Sequence, residues 1–356
     1  MAMTRFFPML TGNEALRTRI GADIASESFS HAYILEGPSG SGKHTLAHAI
    51  AMAAACRDRS LPDTTLPCLS CPTCKKIAEG YCPDVILISR PEGRATMGVD
   101  TVRSIRESIS LVPNDLDLKV YIIEDAHTMT VQAQNALLLT LEEPPPFVLF
   151  LLLAEDAGAL LETVRSRAPV LRMQPIDRDT LHHYLTEQAP PAMRGAAAAL
   201  LRDSAEEFAA LLTLSDGRIG RALSLLDPKK RAPLMERRRI AEAVVERLSV
   251  RGGYDELLLT MLSLTQSREE LSAQLTVLTS ALSDLVLLTK SEGAPLSFFT
   301  DRERAAELSA SFTTARLLRA ITALNEAGEA LLANANVKLT LTRLIERLIA
   351  RSSKME

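Results

Sequence analysis

A short glycine-rich run early in the chain constrains its fold more than any other feature. The run is Gly37-Pro38-Ser39-Gly40-Ser41-Gly42-Lys43-His44-Thr45, and it lies between the apolar stretch Ala32–Leu35 and an alanine-rich helical pattern. Glycines let successive backbone N–H groups converge on an anion, the helix N-terminus adds partial positive charge, and Lys43 adds a full one. A strand, this loop and a helix in succession predict an α/β domain that binds phosphate.

One position in this loop departs from the usual pattern. Loops of this kind place a serine or threonine hydroxyl directly after the lysine, where the hydroxyl binds Mg²⁺. Here that residue is His44. Thr45 follows, but a shift of one residue turns a side chain by about 100° around a helix, away from the metal. The loop is therefore predicted to cradle phosphate without the usual Mg²⁺ ligand.

Bulk properties narrow the class of protein. A length of 356 residues predicts two or three domains. A net charge of -4 argues against a protein that coats nucleic acid by charge alone, so contact with DNA would need a local patch or a partner. The longest apolar run, Phe147–Ala154, has the length of a strand, and Pro8 interrupts the apolar start at Phe6–Leu10. We therefore expect no membrane span, no secretory signal and a cytoplasmic location.

Five apolar runs predict a parallel sheet with helices on both faces. They are Ala32–Leu35, Val85–Ile88, Val120–Ile123, Val148–Leu153 and Val170–Met173. Near-continuous apolar composition is typical of strands that are buried on both faces. After about residue 176 the strand patterns stop and helical spacing continues. We predict an α/β domain over 1–175, a small helical domain over 176–228 and an all-helical domain over 235–356, with a basic junction at 229–239 that is either a solvated helix face or a contact for DNA phosphates.

Two carboxylates follow the strand pattern Val120–Ile123. They are Glu124 and Asp125, about 80 residues after the glycine-rich loop. An enzyme that hydrolyses a nucleotide needs an acidic strand end to hold Mg²⁺ and to activate water. Acids at a solvated strand end are also common, but their place after such a loop favours a nucleotide site.

All five cysteines lie between residues 56 and 82. In a cytosolic chain such a cluster indicates metal binding rather than disulfides. The spacing of Cys68, Cys71 and Cys74 puts three thiolates in one knuckle, and either Cys56 or Cys82 can complete a tetrahedral zinc site. Ordinary buried cysteines are the alternative, which the density of the cluster disfavours.

Together these residues resemble the clamp-loader subunits of bacterial DNA polymerase III, which are AAA+ proteins. The matching motifs are His31-Ala32-Tyr33, Gln134-Asn135-Ala136-Leu137-Leu138, Leu141-Glu142-Glu143-Pro144-Pro145, Thr163-Val164-Arg165-Ser166-Arg167-Ala168 and Asn334-Ala335-Asn336-Val337-Lys338-Leu339. The resemblance implies a RecA-like P-loop domain with a zinc knuckle at about 56–82, a helical lid over 176–228 and a helical collar over 235–356. It also implies that Cys56, rather than Cys82, is the fourth zinc ligand.

Within this family, gamma (or tau) is the motor that hydrolyses ATP, and delta prime is a similar subunit with a degenerate ATP site. Four departures from the motor pattern favour delta prime: His44, the inverted order of Glu124 and Asp125, Glu155 where the motor has a sensor hydroxyl, and Gly220 where it has a second sensor arginine. Inverting the acids misplaces each by a methylene, and an error near 1 Å costs about 10²-fold in rate. Hydrolysis by this chain is therefore expected to be weak or absent, although ATP with Mg²⁺ can still bind.

Arg167 keeps the Ser-Arg portion of the family's Ser-Arg-Cys motif, while Ala168 replaces the cysteine. The resemblance implies that Arg167 is an arginine finger that acts in trans in a neighbouring subunit's ATP site, a role worth about 10³–10⁵ in rate. A surface arginine that pairs with a local carboxylate is the alternative. The implied partners are the gamma/tau and delta subunits and, through the complex, the sliding clamp and primed DNA. A gamma-type motor and a collar protein that binds no nucleotide are the competing functions.

Overall fold

The computed structural model describes residues 6–58, 65–250, 260–261, 267–291 and 293–349. The chain forms two compact units, each treated by itself below. The first consists of Met1–Tyr184 with Gly217–Arg221, and the second of Leu185–Asp216 with Ala222–Glu356. The predicted division into three domains stays a prediction, and one helix, Pro228–Ser249, runs through the junction that was predicted between the second and third.

A five-stranded parallel sheet is the centre of the first unit, and its strand order is β2-β3-β4-β1-β5. The strands are β1 Ala32–Glu36, β2 Val85–Ile88, β3 Lys119–Ile123, β4 Val148–Ala154 and β5 Val170–Arg172. All five predicted strands are confirmed, and each end lies within one residue of its predicted place. The carboxyl ends of parallel strands meet at one edge, where such sheets bind ligands.

Helices cover both faces of this sheet. The helices of the first unit are α1 Glu14–Ala25, α2 Lys43–Ala54, α3 Pro72–Ala78, α4 Val99–Ile109, α5 Val131–Glu142, α6 Glu162–Arg165 and α7 Arg178–His183. Alternate residues of β4 enter different cores: Leu149 and Leu151 pack with α1 and α2, while Phe150 and Leu152 pack with α4 and α5. This burial on both faces is the physical reason that the strands read as continuous apolar runs.

The described part of the second unit is helical. Its helices are α8 Pro191–Asp203, α9 Ala205–Leu214, α10 Ile219–Leu225 (which begins in the first unit), α11 Pro228–Ser249, α12 Arg268–Leu288, α13 Arg302–Ala310, α14 Thr314–Leu332 and α15 Val337–Ile349. Among the described helices, α12 is long and apolar enough to span a membrane. Its leucines lie in the core of the helical unit, and its wholly buried Asp284 accepts backbone hydrogen bonds from residues 297–299. Helix α12 is therefore a core helix of this unit.

The basic junction lies on α11, and its arginines pair with glutamates of the second unit. Arg231 Nε is 3.2 Å from Glu207 Oε2, and Arg237 donates two hydrogen bonds of 2.7 Å to Glu270. Arg231 and Arg238 are buried. The prediction of a solvated helix face is therefore wrong for these two residues, because they are part of the helical packing.

Candidate nucleotide site and metal centre

The glycine-rich loop connects β1 to α2 at the carboxyl edge of the sheet, as the sequence predicts. Gly40 and Gly42 have φ values of +78° and +99°, a region that side chains other than glycine rarely enter. Gly42 is the N-cap of α2, so the N–H groups of the helix's first turn have no partner within the helix. The backbone therefore has the shape and the donors of a phosphate-binding loop.

The side chain of Lys43 forms hydrogen bonds with its own loop. Its side chain is buried, and the ammonium donates hydrogen bonds to the carbonyls of Gly37 and, at 3.1 Å, Pro38. Burial lowers the pKa of Lys43, while the carboxylates of Glu155 and Asp125 act in the opposite direction. The lysine thus lies at the loop with partners from its own chain, and a phosphate would have to compete with them.

The two groups at the expected Mg²⁺ position contact each other. His44 Nδ1 lies 3.1 Å from Glu124 Oε1, and the other oxygen of Glu124 accepts a hydrogen bond from the Ser89 hydroxyl. Asp125 lies 3.8 Å from an Nη atom of Arg90. The sequence predicted that each of the two acids is misplaced, but it did not predict that the histidine would bind the first of them.

The remaining polar side chains of the loop differ in their surroundings. Thr45 is exposed on the first turn of α2, and the carbonyl of Ser39 accepts a 3.4 Å hydrogen bond from Arg218. The Ser41 hydroxyl is buried and has no hydrogen-bond partner among the described residues. A buried hydroxyl with an unmet hydrogen bond is a group that a phosphate oxygen would satisfy. In this respect the loop still fits a nucleotide.

Gly220 lies directly against the tip of the loop. Its N–H donates a 2.9 Å hydrogen bond to the carbonyl of Gly40, and a Cβ at position 220 would lie 2.9 Å from Gly40 Cα. A Cβ at Gly40 would in turn lie 2.8 Å from the backbone nitrogen of Arg221. The position at which the resemblance places a sensor arginine in the motor is thus filled by a backbone-to-backbone contact that only glycine permits.

Glu155 follows β4 at the position where the motor subunits carry a hydroxyl. Its side chain is exposed, and its backbone N–H donates a 3.3 Å hydrogen bond to Nδ1 of His127. Asp156, the next residue, accepts a hydrogen bond from the N–H of Gly158 and so caps a short turn. Neither acid replaces the chemistry of a hydroxyl, because an ionised carboxylate accepts hydrogen bonds and donates none.

Arg167 follows the short helix α6 and pairs with a carboxylate of its own chain. The closest contact joins Arg167 Nη2 to Glu142 Oε1 at 2.6 Å, and 33% of the arginine side chain is exposed. The alternative of a local ion pair is therefore observed. A role in trans needs a neighbouring subunit and stays a prediction.

The candidate metal centre lies beyond the other end of α2. The sulfur atoms of Cys56, Cys68, Cys71 and Cys74 all lie within 4.8 Å of one another, and Cys68 Sγ is 4.0 Å from Cys74 Sγ. Four sulfurs around zinc form a tetrahedron with edges of about 3.8 Å, given a Zn–S bond near 2.3 Å. Cys82 is buried but is not part of this group. The geometry thus groups Cys56, rather than Cys82, with the knuckle.

The local backbone shapes this cluster for a cation. Cys71 is the N-cap of α3 and accepts a hydrogen bond from the N–H of Cys74, and Cys68 accepts one from the N–H of Cys71. Burial raises the pKa of the Cys68 thiol, but hydrogen bonds from Cys71 and Ser70 outweigh it and bring the pKa to about 7. Burial raises the pKa of Cys56 and Cys74. Since buried thiolates need a compensating positive charge, the four sulfurs fit a structural Zn²⁺.

Comparisons with known proteins match part of this chain to subunits of DNA polymerase III. Residues 12–177 match the family model described as "DNA polymerase III, delta subunit". Over 161 residues the chain is 35% identical to the DNA polymerase III subunit tau of Bacillus subtilis, a match that covers 45% of this chain and 28% of that protein. It is 34% identical over 165 residues to the delta' subunit of the same organism, which covers 46% of this chain and 48% of that one. The chain therefore spans about half or less of these relatives' length.

One solved structure aligns with most of the chain, but at low similarity. The DNA polymerase III gamma subunit-related protein of Thermotoga maritima aligns over 94% of this chain and 98% of its own, with 18% identity and a TM-score of 0.42. The parallel sheet and its strand order therefore describe the fold, and the match to the family model lies within the first unit. Over residues 12–177, the sequence of this chain is therefore similar to the clamp-loader subunits of DNA polymerase III.

Proposed function

We propose that this chain is a delta-prime-like subunit of the clamp loader. It assembles with gamma/tau and delta subunits, hydrolyses little or no ATP itself, and supplies Arg167 to the ATP site of a neighbouring subunit. Through the complex it takes part in opening the sliding clamp and placing it on primed DNA. The resulting hetero-oligomer is cytoplasmic.

The observation that carries this proposal is the contact between His44 and Glu124. Mg²⁺ prefers oxygen ligands in near-octahedral geometry and is held in these loops by a hydroxyl and an acidic strand end. Here an imidazole stands in the first place and is 3.1 Å from the carboxylate in the second. Lys43 and Gly220 support the proposal, because both are bonded to carbonyls of the loop itself. ATP can bind through the loop, but the metal that drives hydrolysis is poorly held.

Arg167 has the chemistry that the second half of the proposal needs. A guanidinium stabilises the charge that develops on a transferred phosphoryl group, and it does so from a neighbouring subunit as well as from its own. The arginine is partly exposed on the first unit, next to α6.

The zinc ion, held by Cys56, Cys68, Cys71 and Cys74, would be structural: four thiolates leave no open position for a substrate.

Reconstitution with the gamma/tau and delta subunits of the same organism tests this proposal. We expect the purified chain alone to show no Mg²⁺-dependent ATPase activity above that of Lys43→Ala. In the assembled complex, Arg167→Ala should remove the turnover of each ATP site that the arginine serves, by about 10³-fold or more at that site. Arg165→Ala is the matched control, since Arg165 is exposed at the end of α6, two residues before Arg167. An unchanged rate with Arg167→Ala would refute the role in trans.

A gamma/tau-type motor is the second candidate. It is favoured by the tau relative, whose 35% identity is close to the 34% of the delta' relative, and by the unbroken Gly37–Lys43 portion of the loop. Turnover by the isolated chain that requires Mg²⁺ and disappears with Lys43→Ala would establish this alternative. Absence of any ATP binding would instead favour a structural subunit.

A further inference from the structure

The guanidinium of Arg167 is held at one side by three local acceptors. Nη1 donates to the carbonyl of Thr163 at 2.9 Å and to the hydroxyl of Ser166 at 3.3 Å, and Nη2 donates to Glu142 at 2.6 Å. Thr163 and Ser166 belong to the turn that carries the arginine itself. Glu142 is 25 residues away in sequence and is the one of the three that fixes the arginine to another helix.

These contacts leave part of the guanidinium able to bind a phosphate. An arginine has five N–H donors, and three hydrogen bonds use three of them. Among the described residues, Nε–H and the second N–H of Nη2 take no acceptor. Adjacent donors of this kind suit the oxygens of a phosphate. Glu142 therefore orients the group without using all of its binding capacity.

Glu142 is itself placed by a fixed platform. Glu142 is the last residue of α5. The carbonyl of Leu141, the residue before it, accepts a 3.0 Å hydrogen bond from Nε2 of His31, which lies just before β1. Gln134 of the same helix is buried, and its side-chain oxygen accepts a 2.7 Å hydrogen bond from the N–H of Leu161, immediately before α6. Both ends of α5 are thus tied to the sheet or to the arginine's own segment.

We propose that Glu142 is a positioning residue that holds Arg167 in the orientation from which it reaches a phosphate. His31 and Gln134 hold the helix that presents Glu142, which accounts for these two residues in physical terms. The inference rests on the proposed function of Arg167 in trans. The new element is that the hydrogen bond donated by Arg167 to Glu142, rather than the charge of the carboxylate, sets the geometry of the arginine.

The test uses the reconstituted complex with Glu142→Ala and Glu142→Gln. At each ATP site that Arg167 serves, we expect Glu142→Ala to lower kcat by about 10- to 10²-fold with KM unchanged, because a guanidinium displaced by about 1 Å loses transition-state contact rather than ground-state binding. Glu142→Gln keeps a hydrogen-bond acceptor and should stay within about threefold of the unchanged protein. Glu143→Ala is the matched control: Glu143 is exposed and takes part in no ion pair among the described residues. It should leave kcat unchanged.

Each outcome separates this inference from the function on which it rests. If Arg167→Ala has no effect, the proposed function fails first. If Arg167→Ala lowers kcat and Glu142→Ala does not, only the positioning role is overturned. The positioning role is also overturned if Glu142→Gln or Glu143→Ala lowers kcat as much as Glu142→Ala does. It is overturned as well if Glu142→Ala raises KM and leaves kcat unchanged. Size-exclusion chromatography of each complex establishes that assembly is intact.

Discussion

The two ends of helix α2 carry two candidate cation sites of opposite character. At its N-terminus His44 binds Glu124, and Lys43 binds carbonyls of its own loop, so these three side chains already have partners within the chain. Beyond its C-terminus four thiols converge within 4.8 Å of one another. Four thiolates have charges of the same sign and cannot neutralise one another. Burial raises the pKa of Cys56 and Cys74, so their charged forms are costly without a cation. The side chains of the first site are paired without an ion, and we expect the second site to depend on one.

This difference shows that a sequence motif does not by itself establish a functional cation site. Both sites have residues at the expected spacing. The two sites differ in whether the side chains bind other groups of the protein or need an added ion as their partner. A site closed by its own residues should respond little to loss of a metal, and a site of like groups should respond strongly.

The cysteine group should give the largest effect. We expect Cys71→Ser to lower bound zinc from about one ion per chain to near zero and to lower the free energy of unfolding by more than about 3 kcal/mol, because zinc binding contributes directly to folding. Metal analysis of freshly purified protein and chemical denaturation measure the two quantities. Cys82→Ser is the matched control, since Cys82 is buried nearby but lies outside the group. Loss of zinc in Cys82→Ser and its retention in Cys56→Ser would reverse the assignment.

Local patterns in the sequence were enough to predict the strands and the loop. Strands buried on both faces have a signature that depends on nearby residues only, which is why all five appear within one residue of their predicted ends. The order β2-β3-β4-β1-β5 is a matter of long-range pairing, which such patterns do not contain. Spacing alone allowed Cys56 or Cys82 as the fourth cysteine; the resemblance implied Cys56, and the geometry groups Cys56 with the other three.

The partners of the predicted site residues could not be obtained in this way. The resemblance identified His44 and Gly220 as departures from the motor pattern and Arg167 as a retained residue. The contacts of these residues with Glu124, Gly40 and Glu142 join parts of the chain that only the tertiary fold brings together. One signal was available: a glycine at a position where the motif expects a long side chain indicates close approach of another backbone.

The contact between Gly220 and Gly40 gives a test of intermediate size. A methyl group at position 220 would lie 2.9 Å from Gly40 Cα and 3.1 Å from Gly40 O, so either backbone must shift. We expect Gly220→Ala to lower the free energy of unfolding of the first unit by about 1–3 kcal/mol. Gly195→Ala is the control: Gly195 lies within α8 with no atom within 4 Å of an added Cβ, and alanine there should raise stability by about 0.5–1 kcal/mol. Equal effects would show that the loop is not held by this contact.

The smallest effect on stability, and the most direct test of the closed site, is expected from His44→Ser. The histidine side chain is 57% exposed, so loss of its contact with Glu124 should cost less than about 1 kcal/mol. The hydroxyl restores an oxygen ligand next to a released carboxylate. We therefore expect ATP to bind the unchanged protein equally well with Mg²⁺ or with EDTA, and to bind His44→Ser about tenfold more tightly with Mg²⁺, a difference of about 1.4 kcal/mol in calorimetric titrations.

Thr45→Ala decides whether the next hydroxyl has taken over the missing ligand's role. Thr45 is exposed, and one residue along a helix corresponds to a turn of about 100°, so its removal should leave the affinity for ATP unchanged with either Mg²⁺ or EDTA. A loss of affinity that occurs only with Mg²⁺ would mean that the loop holds the metal through Thr45. The comparison between the two ends of α2 would then no longer hold, because both sites would depend on a cation.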